Sequence, residues 1–273
     1  MKEILQLQDR LDFLNKQDAC RDSFMEYIRY IWPGFIEGEH HRVISKRLTA
    51  VAKGELKRLI INMPPRHTKS EFASIYFPSW MMGLQPDLKI MQTTHTADLS
   101  INFGRKVRNL MDTEEYKRIF SDVNLAADSK SAGKWQTSTG GEYFAAGVGG
   151  AIAGRGADLL IIDDPHSEQD AMSLNLLDSC YEWYTSGPRQ RLQPGGSIVI
   201  VMTRWSTMDL TGRLLDRQTE MNSDQWEVIE LPAIFEDTEE VLWPEFWKKE
   251  ELDSVKASIP VSKWNAQYQQ DPT

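Results

Sequence analysis

Six short apolar runs, each separated from the next by a longer stretch, most with helical spacing, constrain this 273-residue chain more than any other feature. They are residues 58–63 (RLIINM), 88–94 (LKIMQTT), 141–148 (GEYFAAGV), 158–163 (DLLIID), 197–203 (SIVIVMT) and 226–231 (WEVIEL). Runs this short and this continuously apolar are strands covered on both faces, and strands that alternate with helices build a mainly parallel sheet. The expected class is α/β, a mainly parallel sheet flanked by helices. Residues 1–55 carry helical spacing of apolar positions, Leu11/Leu14 and Phe24/Ile28/Ile31 among them, broken at Trp32-Pro33-Gly34, and read as an N-terminal helical segment. The sheet core is expected over 56–231. Residues 232–273 turn acidic and aromatic and read as a small C-terminal subdomain leaning on the sheet, with its Trp and Phe residues packed inward.

A chain of this length buries one large core without covalent staples. Its two cysteines, Cys20 and Cys180, belong to no CxxC or Cys/His spacing, which argues against a disulfide framework or a structural zinc site. The adjacent His40 and His41 have no further ligand at metal spacing. The N-terminus reads as a polar amphipathic helix, and no apolar run approaches the length of a membrane span, so neither export nor insertion is expected. A formal charge of −9 and a pI near 5.2 do not by themselves suggest a nucleic-acid protein, because that affinity is carried by Lys and Arg on phosphates. Local basic groups, such as Arg105, Lys106 and Arg108, fit solvated helix faces.

The chemistry-bearing residues sit at the ends of the apolar runs. After RLIIN comes MPPRHTKS, in which a strand ends in a loop and Lys69-Ser70 opens a helix. Strand, loop amides and helix N-terminus together make an anion site, with the lysine reaching β/γ-phosphates and the hydroxyl holding Mg²⁺. Met63 and Thr68 stand where GxxxxGK[ST] has its glycines, so the segment taken alone also fits a proline-rich turn with a solvated lysine. In LLIIDDPH an apolar strand runs into Asp163-Asp164, the strand end at which α/β sheets bind ligands. Asp163 suits Mg²⁺ and Asp164 suits a water-polarising base, although an Asp-Asp-Pro turn capping the next helix is the plain alternative. The two motifs stand in the right order, about ninety residues apart, and each strengthens the other.

Arg155 lies in a glycine-dense loop eight residues before Asp163 and is a candidate arginine finger in cis or from a neighbouring subunit; pairing with a surface carboxylate is the alternative. Arg66, inside the phosphate loop, is a second candidate. The run 197–203 ends in Thr203-Arg204, where a hydroxyl can sense a γ-phosphate, or where Ser206 or Thr207 simply caps the following helix.

The run PPRHTKSE, the phrase GRGADLLIIDDPH, the strand IVIVMTRWSTMDLTGRLL and the tail WNAQYQQDP resemble, in that order, the ATPase half of tailed-bacteriophage large terminases, from about His40 to the C-terminus. The resemblance implies a P-loop NTPase of the ASCE (RecA-like) type that hydrolyses ATP with Mg²⁺ and drives double-stranded DNA into procapsids. It implies a nucleotide loop of Pro65, Arg66, His67, Thr68, Lys69, Ser70 and Glu71, with Thr68 in the place of the family's glycine. Asp163 becomes the Walker B carboxylate, sharing Mg²⁺ with Ser70, and Asp164 takes the place of the catalytic glutamate, with Glu168 as an assistant. Arg155 maps onto the trans-acting arginine, Thr203 and Arg204 onto the coupling motif, and His41 and Arg42 onto an adenine motif. Partners implied are DNA without sequence preference, the portal protein, the small terminase subunit and further copies in a ring, with a monomer in isolation, in the host bacterial cytoplasm. Full-length relatives continue into an RNase H-like nuclease; this chain stops where that domain should begin, so no nuclease activity is expected of it. A helicase-like remodelling ATPase and a nucleotide-insensitive assembly module with a decayed phosphate loop are the competing readings.

Overall fold

The computed structural model describes residues 2–129 and 131–272. Three helices come first, α1 (Lys2–Asp22), α2 (Phe24–Ile31) and α3 (Glu39–Ala52). Ser23 caps α2 by accepting a hydrogen bond from the amide of Glu26, and Trp32-Pro33-Gly34 ends it, with Gly34 at φ 73. Strand β1 (Arg58–Asn62) follows, then the loop to a π-helical segment, Glu71–Tyr76, that runs straight into α4 (Phe77–Leu84). Next are β2 (Lys89–Thr94), α5 (Ala97–Met111), α6 (Glu114–Ile119), β3 (Lys134–Gln136), β4 (Glu142–Gly147) and β5 (Ala157–Asp163). Helices α7 (Glu168–Ala171), α8 (Leu174–Ser186) and α9 (Pro188–Arg191) lead to β6 (Leu192–Met202), α10 (Leu210–Arg217) and β7 (Glu227–Glu230). The last helices are α11 (Lys249–Ser258) and α12 (Val261–Gln269).

The seven strands form one sheet in the order β3-β4-β2-β5-β6-β1-β7, parallel throughout except for β3. All six apolar runs are strands of this sheet. The seventh, β3, was not foreseen: KWQ is too short and polar to register as a strand, and it forms only as the antiparallel arm of a hairpin that stacks Trp135 on Tyr143 at 4.9 Å. Successive side chains of the central strands enter opposite cores, as a pleated strand requires. Leu59, Ile61, Leu159, Ile161, Val199 and Val201 pack with Phe24 from α2, Phe72 from the π-helical segment, and Phe77 and Trp80 from α4. Ile60, Leu160, Ile162, Ile198, Ile200 and Met202 pack on the other face with Tyr184, Leu210 and Leu214. A third, small cluster around Ala233, Leu252 and Trp264 belongs to residues after β7. No helix among the described residues is long and apolar enough to cross a membrane.

One feature of the strand order places the site. Strand β6 lies between β1 and β5, in register Asn62↔Met202 and Asp163↔Val201, so the C-terminal ends of three strands finish level. The loop after β1, the two aspartates ending β5 and the Thr203 that follows β6 therefore face one crevice.

Candidate active site

The loop of residues 63–70 begins as an extension of β1. Met63 is buried and its amide donates to the Met202 carbonyl at 3.3 Å, so this position holds no turn and needs no glycine. The turns occur at Arg66 and Thr68, with φ of 63 and 70, the left-handed region that glycine enters freely and a β-branched residue enters under strain. Thr68 thus holds a backbone conformation that favours glycine, at a cost of about 1–3 kcal/mol. Its side chain is what holds it: His41 Nε2 donates to Thr68 Oγ1 at 2.8 Å, and the hydroxyl donates onward to the His67 carbonyl. The tautomer follows from the other ring nitrogen, since His41 Nδ1 accepts the Gly38 amide at 2.8 Å. Burial pushes the His41 imidazole down to about 2, so the ring is neutral. Among the described residues, the amides of Arg66 and Thr68 make no backbone hydrogen bond, which leaves donors for an anion at the head of the helix.

Lys69, 8% exposed, places Nζ 3.0 Å from Asp164 Oδ2. Burial alone would lower its pKa, but the carboxylates of Asp164 and Asp163 outweigh that and hold it above the ordinary lysine value. Ser70 Oγ donates to Asp163 Oδ1 at 3.0 Å, and Ser74 Oγ, one helical turn on, donates to Oδ2 at 2.6 Å. Gln92 on β2 supports this pair, its Nε2 donating to Ser74 Oγ at 3.0 Å. Asp163 is 1% exposed, and desolvation, with the neighbouring Asp164 charge added, raises its pKa against the pull of Lys69 and the two hydroxyls. The segment carrying Ser74 is π-helical, the Phe77 amide reaching back to the Phe72 carbonyl, a local widening that recurs at functional sites.

Asp164 has φ 41, which turns its carboxylate out of the strand line and into the crevice. Its Oδ1 accepts the Thr203 amide at 2.8 Å, and its carbonyl accepts the His95 amide at 3.3 Å. Thr203 Oγ1 donates to the Met63 carbonyl at 3.4 Å, so the residue just after β6 touches both the root of the 63–70 loop and the aspartate. Arg204 turns the other way. Its Nε donates to both oxygens of Asp209, its Nη1 reaches Glu230 at 3.3 Å, and its amide donates to Gln270 Oε1 at 3.1 Å, tying β6 to the C-terminal subdomain.

The structure gathers Thr68, Lys69, Ser70, Asp163, Asp164 and Thr203 as the sequence suggested, and sets Arg155, Arg42, His41 and Glu168 apart, as it does Arg204. Arg155 precedes β5 and so lies at the opposite end of the sheet from Asp163. It pairs with Glu142, the first residue of β4, at 3.0 Å and stacks over the Phe144 ring at 4.0 Å. It cannot reach its own chain's crevice. Arg42 is on the surface, engaged by Glu37 at 2.6 Å and Glu39 at 2.8 Å, and His41 is sealed behind Phe35, Phe72 and Trp243; neither presents its side chain to a bound base. Glu168 pairs with Lys263 on α12 rather than assisting Asp164. Ser74, Gln92 and His95 were missed by sequence reading. Ser74 had a signal, its four-residue spacing from Ser70 on one helix face, and His95 had another, its place just beyond the end of a strand.

The donors fit a small hard cation. Among the described residues no three His, Cys, Asp or Glu side chains gather into a metal cage, but Mg²⁺ in phosphate chemistry takes one or two protein oxygens and completes its shell with phosphate and water. A buried carboxylate flanked by a serine hydroxyl is such a partial set.

The structure of the large terminase of bacteriophage HK97 matches with a TM-score of 0.56 and 12% identity over 83% of this chain and 50% of that one. The large terminase ATPase domain of Thermus phage P74-26 matches with a TM-score of 0.53 and 14% identity over 91% of this chain and 98% of that one. An arginine-to-alanine mutant of the same domain gives a TM-score of 0.54. The chain spans about half the length of the HK97 protein. No family model and no curated protein matches it. The chain therefore has the fold of the phage large-terminase ATPase domain.

Proposed function

We propose that this chain is a Mg²⁺-dependent ATPase, the motor domain of a phage large terminase that packages double-stranded DNA. The observation that carries the reading is the pairing, at one strand-end crevice, of Lys69 with Asp164 and of Ser70 with Asp163, both at 3.0 Å. Lys69 is the only buried lysine among the described residues, and its ammonium offers three donors where a β/γ-phosphate would lie beside the free loop amides. Ser70 and Asp163 would hold Mg²⁺, which neutralises charge on the phosphates. Phosphate oxygens compete with Asp164 for the Lys69 ammonium, so nucleotide binding releases one carboxylate oxygen. Asp164, still oriented by the Thr203 amide, can then accept a proton from the attacking water.

Thr203 senses this exchange directly, because its amide follows Asp164 and its hydroxyl follows Met63. The signal then has a covalent route to Arg204 and, through Gln270, to the C-terminal subdomain. Arg155 serves as the finger only from a neighbouring copy, which accords with a ring at the portal in the host cytoplasm; Arg66, exposed at the turn of the loop, is the candidate within the chain. Contacts to DNA are to phosphates, without sequence preference, since a translocating protein must ignore base identity. The portal protein and the small terminase subunit are the further partners of this reading.

Steady-state phosphate release from ATP, with wild type beside Lys69→Ala and with Mg²⁺ present or chelated, tests the ATPase. Turnover that requires both Lys69 and Mg²⁺ is expected. Absence of both turnover and nucleotide binding in the wild type would sink the reading and return the chain to an assembly module.

A further inference from the structure

Beside the phosphate loop lies a cavity of about 280 Å³ lined by Trp32, Phe35, Ile36, Trp243 and Phe246, and by Arg66, Thr68 and Glu71 on the side of the loop. That volume is just below the range of about 300–1,000 Å³ for whole-ligand pockets, enough for one flat heterocycle but not for a whole nucleotide. Its walls are firm. Trp32 stacks on Tyr76 at 4.8 Å, Trp243 stacks on Phe246 at 4.4 Å, and Phe35 packs edge-on against His41 at 4.8 Å. Two of its apolar members, Ile36 and Phe246, are nonetheless 43% and 49% exposed, an unfavourable state that an aromatic occupant would relieve.

Resting on the reading of the phosphate loop as a nucleotide site, we propose that the nucleotide base is seated in this pocket by stacking and apolar contact, and that adenine and guanine nucleotides are accepted alike. Two observations support it. First, the residues expected from sequence to read adenine, His41 and Arg42, are committed elsewhere. Second, the wall away from the phosphate loop carries no Asn, Gln, Ser or Thr side chain, and its polar side-chain atoms are the indole N–H groups of Trp32 and Trp243, donors alone with no side-chain acceptor beside them to match a donor and acceptor pattern on a base edge. Discrimination between bases by large factors requires a site built to hydrogen-bond one of them, because only then does the wrong base leave buried polar groups unpaired. A stacking surface grips any purine face. The pocket also draws its walls from both ends of the chain, Trp32–Ile36 before α3 and Trp243 with Phe246 before α11, so a seated base bridges the N-terminal helices and the C-terminal subdomain.

The test is equilibrium titration of the intact chain with ATP, GTP and inorganic tripolyphosphate, followed by tryptophan fluorescence, in wild type, Phe246→Ala, Ile36→Ala and Lys69→Ala. The expected result is ATP and GTP dissociation constants within about threefold of each other, with tripolyphosphate weaker by about tenfold or more. Phe246→Ala, at a half-exposed position whose loss the fold tolerates, should weaken both nucleotides by roughly five- to tenfold while leaving tripolyphosphate unchanged, with Ile36→Ala smaller in the same direction. Unaltered ATP binding in Phe246→Ala and Ile36→Ala, with binding lost in Lys69→Ala, would overturn the base pocket and leave the phosphate site standing. ATP binding more than about tenfold tighter than GTP would overturn the tolerance. Failure of all three ligands to bind the wild type would overturn both.

Discussion

His41 donates a hydrogen bond to Thr68 across 2.8 Å, and through it a helix of the N-terminal segment holds the phosphate loop in a backbone conformation that threonine would otherwise avoid. The strain and the bond can be separated by substitution. Thr68→Val keeps the branched side chain and loses the hydroxyl, leaving a neutral imidazole N–H buried without a partner; it should destabilise the chain by roughly 1–3 kcal/mol. Thr68→Gly removes strain and bond together and should come within about 1 kcal/mol of wild type, since relief of about 1–3 kcal/mol offsets the lost bond and the added chain entropy. Urea unfolding midpoints compare the two. A valine variant as stable as wild type would show that His41 does not secure the loop, and equal stability of the valine and glycine variants would show that threonine is not strained there.

Three buried histidines make the same corner sensitive to acid. Burial pushes His40 down to about 3, His41 to about 2 and His67 to about 4, with Lys69 adding to the effect at His67. A base whose folded pKa lies below its unfolded value of about 6.5 takes up protons on unfolding, so its contribution is complete above pH 6.5 and is lost as pH falls toward the folded pKa. From pH 7.5 to 5.5 each should cost about 1.4 kcal/mol, or about 4 kcal/mol for the three. Unfolding free energies at the two pH values measure it. Replacing His40 with Phe, which is apolar and of similar shape, should reduce the loss by about a third; an unchanged pH slope would remove His40 from the account.

The distance of Arg155 from its own crevice makes a prediction about mixtures. On the proposed reading, Arg155→Ala would supply a sound crevice and no finger, while Asp164→Ala would supply a finger and a dead crevice. Mixed at concentrations that permit assembly, the two inactive variants should recover measurable phosphate release, and the recovery should vanish on dilution. No recovery at any ratio, with assembly confirmed by sedimentation, would rule Arg155 out as a trans-acting group.

Much of this site was legible before the structure because strand ends are legible. Lys69, Ser70, Asp163, Asp164 and Thr203 each follow an apolar run, and a parallel sheet brings the ends of such runs to one side. The same reasoning, carried one step further, would have located Arg155. Eight residues separate it from Asp163, and a strand of seven residues spans about 20 Å, so the two stand at opposite ends of the sheet. What could not be read is what depends on contact between distant segments. His41 looked like a base reader only through the family resemblance, which sets His41 and Arg42 in the place of an adenine motif, and its partner Thr68 is 27 residues away. Trp243 and Phe246 looked like ordinary core, and only the packing of the C-terminal segment against Trp32 and Phe35 turns them into pocket walls. The short arm β3 escaped for a similar reason, since its burial comes from Tyr143 rather than from its own sequence.

Strand β6 is hydrogen-bonded on both sides, to β1 and to β5, along the stretch that ends at Thr203. Deleting one residue between Ser197 and Met202 would turn every later side chain to the opposite face and bring Arg204 to the place of Thr203, and inserting one would bring Met202 there, so either change removes the hydroxyl from the crevice. Loops elsewhere in the chain can lengthen or shorten, but this strand cannot, and homologues should show substitutions there without gaps. The length of β6, more than the identity of most of its residues, is what the chemistry holds constant.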